Sequence, residues 1–170
     1  MKNLKTTGLL ILLLLSAISV KAQDEAPLTD EELGKYAAVM LFADTEKARM
    51  GQVYNERIKG EELMNGGRRF KEIKDAKGDD AKLQELSVTE DELAVFNSIQ
   101  EEYDAMVATF KEAYTAKIKD KEVLGAGLYN RIRKALKADA ELKTRYEAIY
   151  ETVKAEATEG EEDPSTDGSN

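Results

Sequence analysis

The chain has 170 residues, with 25 Lys+Arg against 34 Asp+Glu for a net charge of −9, and it contains no Cys, His or Trp. Disulfides, thiolate nucleophiles, zinc knuckles and lipidated cysteines are therefore excluded, and both the usual neutral-pH proton shuttle and the commonest metal ligand are missing. The acidic balance argues against nucleic-acid binding by phosphate neutralisation, and a hydrophobic content of 42% suffices for one ordinary core.

Lys2 and Lys5 precede an apolar run from Gly8 to Leu15 that continues loosely to Val20. Val20-Lys21-Ala22 then presents small residues at the two positions a signal peptidase reads, so residues 1–22 are expected to be a secretory signal peptide. The apolar stretch is shorter than the ~20 residues a spanning helix needs. No cysteine follows it, so the expected product is an exported, soluble, periplasmic or secreted protein without a lipid anchor. Residues 23–155 are expected to form a single domain. From Glu156 to Asn170 the chain is rich in Glu, Asp, Ser, Thr and Gly, which predicts a disordered acidic tail.

The intervening pattern is helical and is written twice. Leu28-Thr29-Asp30-Glu31-Glu32-Leu33 combines a capping box (Thr29, Glu32) with a hydrophobic staple (Leu28, Leu33), and Val88-Thr89-Glu90-Asp91-Glu92-Leu93 repeats both. At the same spacing Tyr36 aligns with Phe96, Val39 with Ile99, Tyr54 with Tyr114 and Ile58 with Ile118. One residue then drops out, and Phe70-x-x-Ile73-x-x-Ala76 falls on Tyr129-x-x-Ile132-x-x-Ala135. The chain thus predicts two long-helix/short-helix units, about 28–77 and 88–137, as an internal duplication. Gly66-Gly67 is expected to end the first long helix and Lys77 to Ser87 to link the units. Phe96, Ile99, Tyr103, Met106, Phe110 and Ala113 step 3, 4, 3, 4, 3, predicting a buried seam on the second long helix. In the first copy Glu46 stands where Met106 does. Asp139 is expected to cap a closing helix over about 139–155 through Leu142, Tyr146, Ile149 and Val153. No sustained alternation marks a strand. The expected fold is an all-α small helical bundle.

Thr29-Asp30-Glu31-Glu32-Leu33 with Tyr36 and Ala37, and Gly127-Leu128-Tyr129-Asn130-Arg131-Ile132 followed by Asp139-Ala140-Glu141-Leu142, resemble the exported bacterial domain of unknown function 4168. The resemblance spans about residues 28–150. It implies a signal peptide and a small helical envelope domain, and it brings no activity with it. Members commonly carry proline after the capping Asp, where this chain has Ala140.

Most carboxylates belong to capping turns, solvated faces or the tail. Asp44 and Glu46 stand out for an acid pair of the glycosidase kind, because Glu46 falls on the apolar seam, where a bent or snorkelling surface residue or an ion pair with a basic short helix is the simpler role. Asp79, Asp80 and Glu85 lack the regular spacing of a calcium loop. No catalytic residue, metal site or cofactor is assigned. The short helices, however, are basic: Arg68, Arg69, Lys71, Lys74 and Lys77 in the first, Arg131, Arg133, Lys134 and Lys137 in the second. Arg68, Arg69, Lys71, Lys74, Arg131, Arg133 and Lys134 form a candidate patch for an anionic envelope component or another envelope protein, against the simpler expectation that they dock on the acidic long helices. The expected function is non-catalytic, by binding or as a structural element, with a periplasmic holdase chaperone as the alternative and a carboxylate-dependent hydrolase as a distant third.

Overall fold

The computed structural model describes residues 26–159. The expected signal peptide at 1–22 lies outside the described residues, as does the tail beyond Glu159. Six α-helices follow one another, with no strand among the described residues: α1 (Asp30–Gly60), α2 (Arg68–Ala76), α3 (Asp80–Glu85), α4 (Glu90–Lys119), α5 (Ala126–Ala138) and α6 (Ala140–Glu159), with a 3₁₀ turn (Glu62–Gly67) between α1 and α2. The fold is all-α, a small bundle closed by its C-terminal helix.

Both long helices start as their sequences dictate. Thr29 accepts the Glu32 amide and Glu32 accepts the Thr29 amide, and Thr89 and Glu92 do the same. Three acids in each first turn favour the positive end of the helix dipole. At 31 and 30 residues, each helix is about 45 Å long. They run antiparallel, since Met40 meets Tyr114, Phe42 stacks near Phe110, Tyr54 packs on Tyr103 and Arg57 pairs with Glu102.

Each end of this pair carries its own core. One gathers Leu28, Leu33, Tyr36 and Val39 of the α1 start with Leu124 and Ile132, and Tyr114, Ile118, Tyr129 and Ala135 pack against it. The other gathers Phe96 and Ile99 of the α4 start with Ile58, Met64, Phe70 and Ile73, and Tyr54, Val88 and Leu93 pack against it. Position by position these are the residues that align in the sequence. Ile73 and Ile132 are both fully buried, each where a short helix folds back across the ends of both long ones.

Several boundaries differ from the sequence reading. α1 ends at Gly60 rather than at Gly66-Gly67. Those glycines and Asn65 instead take left-handed conformations that turn the chain into α2, and at Gly67 (φ +101) the open side already faces Ile58 Cγ2 at 3.4 Å from where a Cβ would stand. The stretch 77–87 is more than a linker, because Asp79 caps the short α3 by accepting the Lys82 amide. Asp139 accepts the Leu142 amide at the start of α6 in the same way, so α3 is the counterpart of α6 cut to six residues. The extended backbone at Asp139 breaks the chain between α5 and α6 without a proline. α6 continues to Glu159, so residues 156–159 belong to the helix rather than to the tail.

α6 has no equivalent on α4, and it lies along the first half of α1. Arg145 sits beside Asp30, Tyr146 packs edge-on to Tyr36, and the Tyr150 hydroxyl donates to Asp44 at 2.9 Å. Ala37 and Ala43 are buried on this stretch of α1, whereas their counterparts on α4, Asn97 and Tyr103, are exposed and half-buried. Small residues let a third helix approach α1, and polar or bulky ones keep α4 bare.

Candidate functional site

The basic residues proposed as one patch are not brought together. Arg68, Arg69, Lys71 and Lys74 lie on α2 at one end of the long pair, and Arg131, Arg133 and Lys134 lie on α5 at the other. The Leu33 and Ile58 positions that anchor the two ends are 25 residues apart on α1, roughly 37 Å. The two basic helices therefore cannot share a small ligand.

Each short helix nevertheless sends one arginine to the same kind of target. Arg69 Nε and Nη2 donate to the two carboxylate oxygens of Glu92 at 2.7 and 2.9 Å, while Nη1 reaches Glu72 at 3.1 Å and Nη2 the Leu86 carbonyl at 3.1 Å. At the other end Arg131 donates to Glu32 at 3.3 Å and to the Ala26 carbonyl. Glu92 and Glu32 are the capping-box carboxylates. Glu32 holds its own helix start with one oxygen and Arg131 with the other, whereas at Glu92 Arg69 takes both oxygens and shares one of them with the Thr89 amide. The Arg69 guanidinium holds the Glu92 carboxyl down at about 2, with the Thr89 amide helping and partial burial opposing, and Arg69 itself is raised by Glu92. Arg69 is thus a structural clamp and leaves the candidate patch. The signal for it was present in the sequence: a capping-box glutamate uses one oxygen on its backbone and leaves the other open to a cation.

The remaining patch residues are surface groups. Arg68 and Lys71 are exposed beside Glu72 and Asp75 on their own helix, Lys74 is exposed, and the Arg133 guanidinium stacks over Tyr129 at 5.4 Å. Lys134 is exposed too, and it lines a cavity of about 700 Å³ with Arg131, Asn130, Asp139, Arg145 and the incoming segment Ala26-Pro27-Leu28. Arg145 joins this cavity unforeseen by the sequence reading. It pairs with Asp30 at 2.5 Å and donates to the Leu28 carbonyl at 3.0 Å.

The acids singled out earlier have local duties. Glu46 pairs with Arg49 at 2.8 Å on its own helix, Asp44 accepts the Tyr150 hydroxyl, and Asp79 caps α3 and pairs with Lys82. Burial and the bond to Asp44 push the Tyr150 hydroxyl up to about 12. Burial raises Tyr114 and Tyr146 further, and the Tyr114 hydroxyl lies 3.2 Å from that of Tyr129.

Half-way along the long pair, between the two cores, the predicted seam opens. Phe96 and Ile99 are buried, but Tyr103, Met106, Phe110 and Ala113 are only half-buried. Phe42, Ala105, Met106, Phe110 and Ala113 floor a groove of about 470 Å³ with Glu46 and Arg49 on its edge, and Lys117 lies over the Phe42 ring at 4.7 Å. The seam closes where a short helix crosses it and stays open where none does.

No protein-family model, no curated protein and no solved structure matches the chain.

Proposed function

We propose that the chain is an exported, non-catalytic protein of the cell envelope that works by binding another envelope protein in the groove between α1 and α4. The observation that carries this reading is the half-open run of Phe42, Met106 and Phe110 between two closed cores. An apolar segment laid there would stack on the two rings, and Met106 would adapt its flexible side chain to the partner's shape. Glu46, Arg49 and Lys117 supply a charged rim around the apolar floor, the arrangement expected of a groove that accepts a helix or strand of a partner. Export is supported by the basic start, the apolar run and the Val20-Lys21-Ala22 cleavage pattern, and by the resemblance of residues 28–150 to the exported family of domain 4168. No helix among the described residues is long and apolar enough to cross a membrane.

A holdase chaperone is the second reading, favoured by the same methionine-and-aromatic floor, which would accept many clients. A photoreactive residue in place of Thr109, inside the groove, separates the two. A single discrete adduct in cells, lost when Met106→Glu is added, supports one dedicated partner. A ladder of adducts, together with stoichiometric suppression of aggregation of a denatured client, supports the holdase. An absence of any adduct refutes groove binding.

A further inference from the structure

α5 and α6 are patterned as one helix that has been bent. Ile132 and Ala135 of α5, then Asp139, then Leu142, Tyr146 and Ile149 of α6 step 3, 4, 3, 4, 3. A single heptad seam therefore runs through the elbow without losing phase. Its apolar members all belong to the core around Leu33 and Tyr36, and Asp139 is its one polar position. Neither glycine nor proline occurs from Leu128 to Glu159, so the covalent chain allows a helix throughout. The bend rests on Asp139, whose backbone is extended (φ −127, ψ 109) and whose carboxylate accepts the Leu142 amide at 2.9 Å. Straightening would pair the Ala140, Glu141 and Leu142 amides with the Leu136, Lys137 and Ala138 carbonyls, the orphan groups of two helix ends. It would cost the Asp139 cap and set a carboxylate in an apolar seam.

We propose that this elbow opens and that α6 then docks on α1 of a second copy of the chain, giving a reciprocal, domain-swapped dimer. The seat on α1 selects the occupant. Arg145 meets Asp30 there, Tyr146 lies edge-on to Tyr36 at 5.5 Å, and the Tyr150 hydroxyl donates to Asp44. The α6 of a second copy remakes each of these contacts, so the exchange leaves the core around Leu33 and Tyr36 complete. No residue of α6 is buried outright, so the helix lies on α1 rather than threading the core and lifts off as a unit. In the open form α5 and α6 make one helix from Ala126 to Glu159, about 50 Å long, which carries α6 away from its own α1. Each copy gives one α6 and receives one, so the exchange closes at two copies about a two-fold axis. The proposal is independent of the α1–α4 groove.

The test is the oligomeric state of the full chain after refolding from denaturant at low and at high protein concentration, read by light scattering behind size exclusion. Refolding at high concentration should yield a dimer that persists on dilution, because each α6 must leave its seat before the copies part. Asp139→Leu removes the cap and completes the apolar seam, and it should raise the dimer fraction about tenfold. Ala140→Pro suits the first position of α6 and the extended backbone already present at Asp139, but a proline there is incompatible with a straight helix. That variant should be monomeric at every concentration, alone or combined with Asp139→Leu. Co-refolding isotope-labelled with unlabelled copies separates exchange from simple association. A cross-peak between the Tyr36 ring of one copy and the Tyr146 ring of the other marks a swapped α6. A wild type that refolds only to monomer, an Ala140→Pro variant that dimerises as the wild type does, or a dimer whose Tyr36–Tyr146 contact stays within each copy overturns the proposal. The wild type and Ala140→Pro decide it even where Asp139→Leu fails to fold.

Discussion

Replacing Arg69 by Met keeps most of the side chain's length and apolar stem while deleting the guanidinium that grips the start of α4. The structure sets the size of the effect. Arg69 and Glu92 are 16% and 15% exposed, and their two contacts form a side-on pair, the stronger form of charge-assisted bond. Displacement of Glu92 from its ordinary 4.5 to about 2 sets a ceiling of roughly 3.5 kcal/mol at about 1.4 kcal/mol per pH unit. Water at the open edge screens the pair, and an Arg69–Glu92 coupling of about 1–2 kcal/mol is expected near neutral pH. Arg69→Met alone should cost more, because it also leaves the Leu86 carbonyl without its donor. The measurement is a double-mutant cycle of Arg69→Met, Glu92→Gln and their combination by denaturant unfolding. Since the folded-state value of Glu92 lies below its unfolded one, the coupling is fully present above about pH 5 and is lost as pH falls through 4.5 toward 2. A coupling under ~0.5 kcal/mol at pH 7, or one that persists unchanged at pH 2, refutes the clamp.

Ile73→Ala and Ile132→Ala should each destabilise by about 2–5 kcal/mol in the same unfolding assay, as both side chains are completely buried in separate cores. Thr29→Ala and Thr89→Ala should each cost about 1 kcal/mol and loosen amide exchange in the first turn of α1 or α4 alone. Gly67→Ala should lose about 1 kcal/mol or more through its left-handed backbone, whereas Gly127→Ala, inside α5 with open space around it, should be neutral or stabilising. Ultraviolet titration should find Tyr150 ionising near pH 12 and Tyr114 and Tyr146 later still. Their raised folded-state values hold stability that is complete below about pH 10 and drains away as pH climbs through 12. Ionisation of all seven tyrosines near pH 10 would contradict the packing.

What could be read from the sequence was local. Thr29, Glu32, Thr89 and Glu92 announce helix starts because a capping box is a contact between residues three apart. Ile73 and Ile132 could be placed in cores because aromatic-x-x-Ile-x-x-Ala is one face of a short helix. The end of α1 at Gly60 was missed because two glycines six residues further on are the louder stop signal, yet they were needed for left-handed turns. α3 escaped because six residues hold too few apolar positions to show a period, although Asp79 three residues before Lys82 matched the cap at Asp139. The Arg69–Glu92 and Arg131–Glu32 pairs, the seat of α6 on α1 and the opening of the seam at Met106 and Phe110 all depend on which helix crosses which, and periodicity along one helix carries no such information.

The two cores differ in how much chain must exist before they can close. The one around Phe96 and Ile99 draws its residues from between Tyr54 and Ile99 and lies wholly in the middle of the sequence. The one around Leu33 and Tyr36 needs Leu28 at one extreme and Tyr146 and Ile149 at the other. Loop closure over such a span is the slower event. A chain delivered from its N-terminus can therefore finish its central core while the first turn of α1 still waits for α6, and a truncation before Ala140 would leave half the molecule assembled and the other half with Tyr36 resting on Tyr129 but stripped of Tyr146. The order of assembly runs from the middle outward, and the last helix to emerge completes the first.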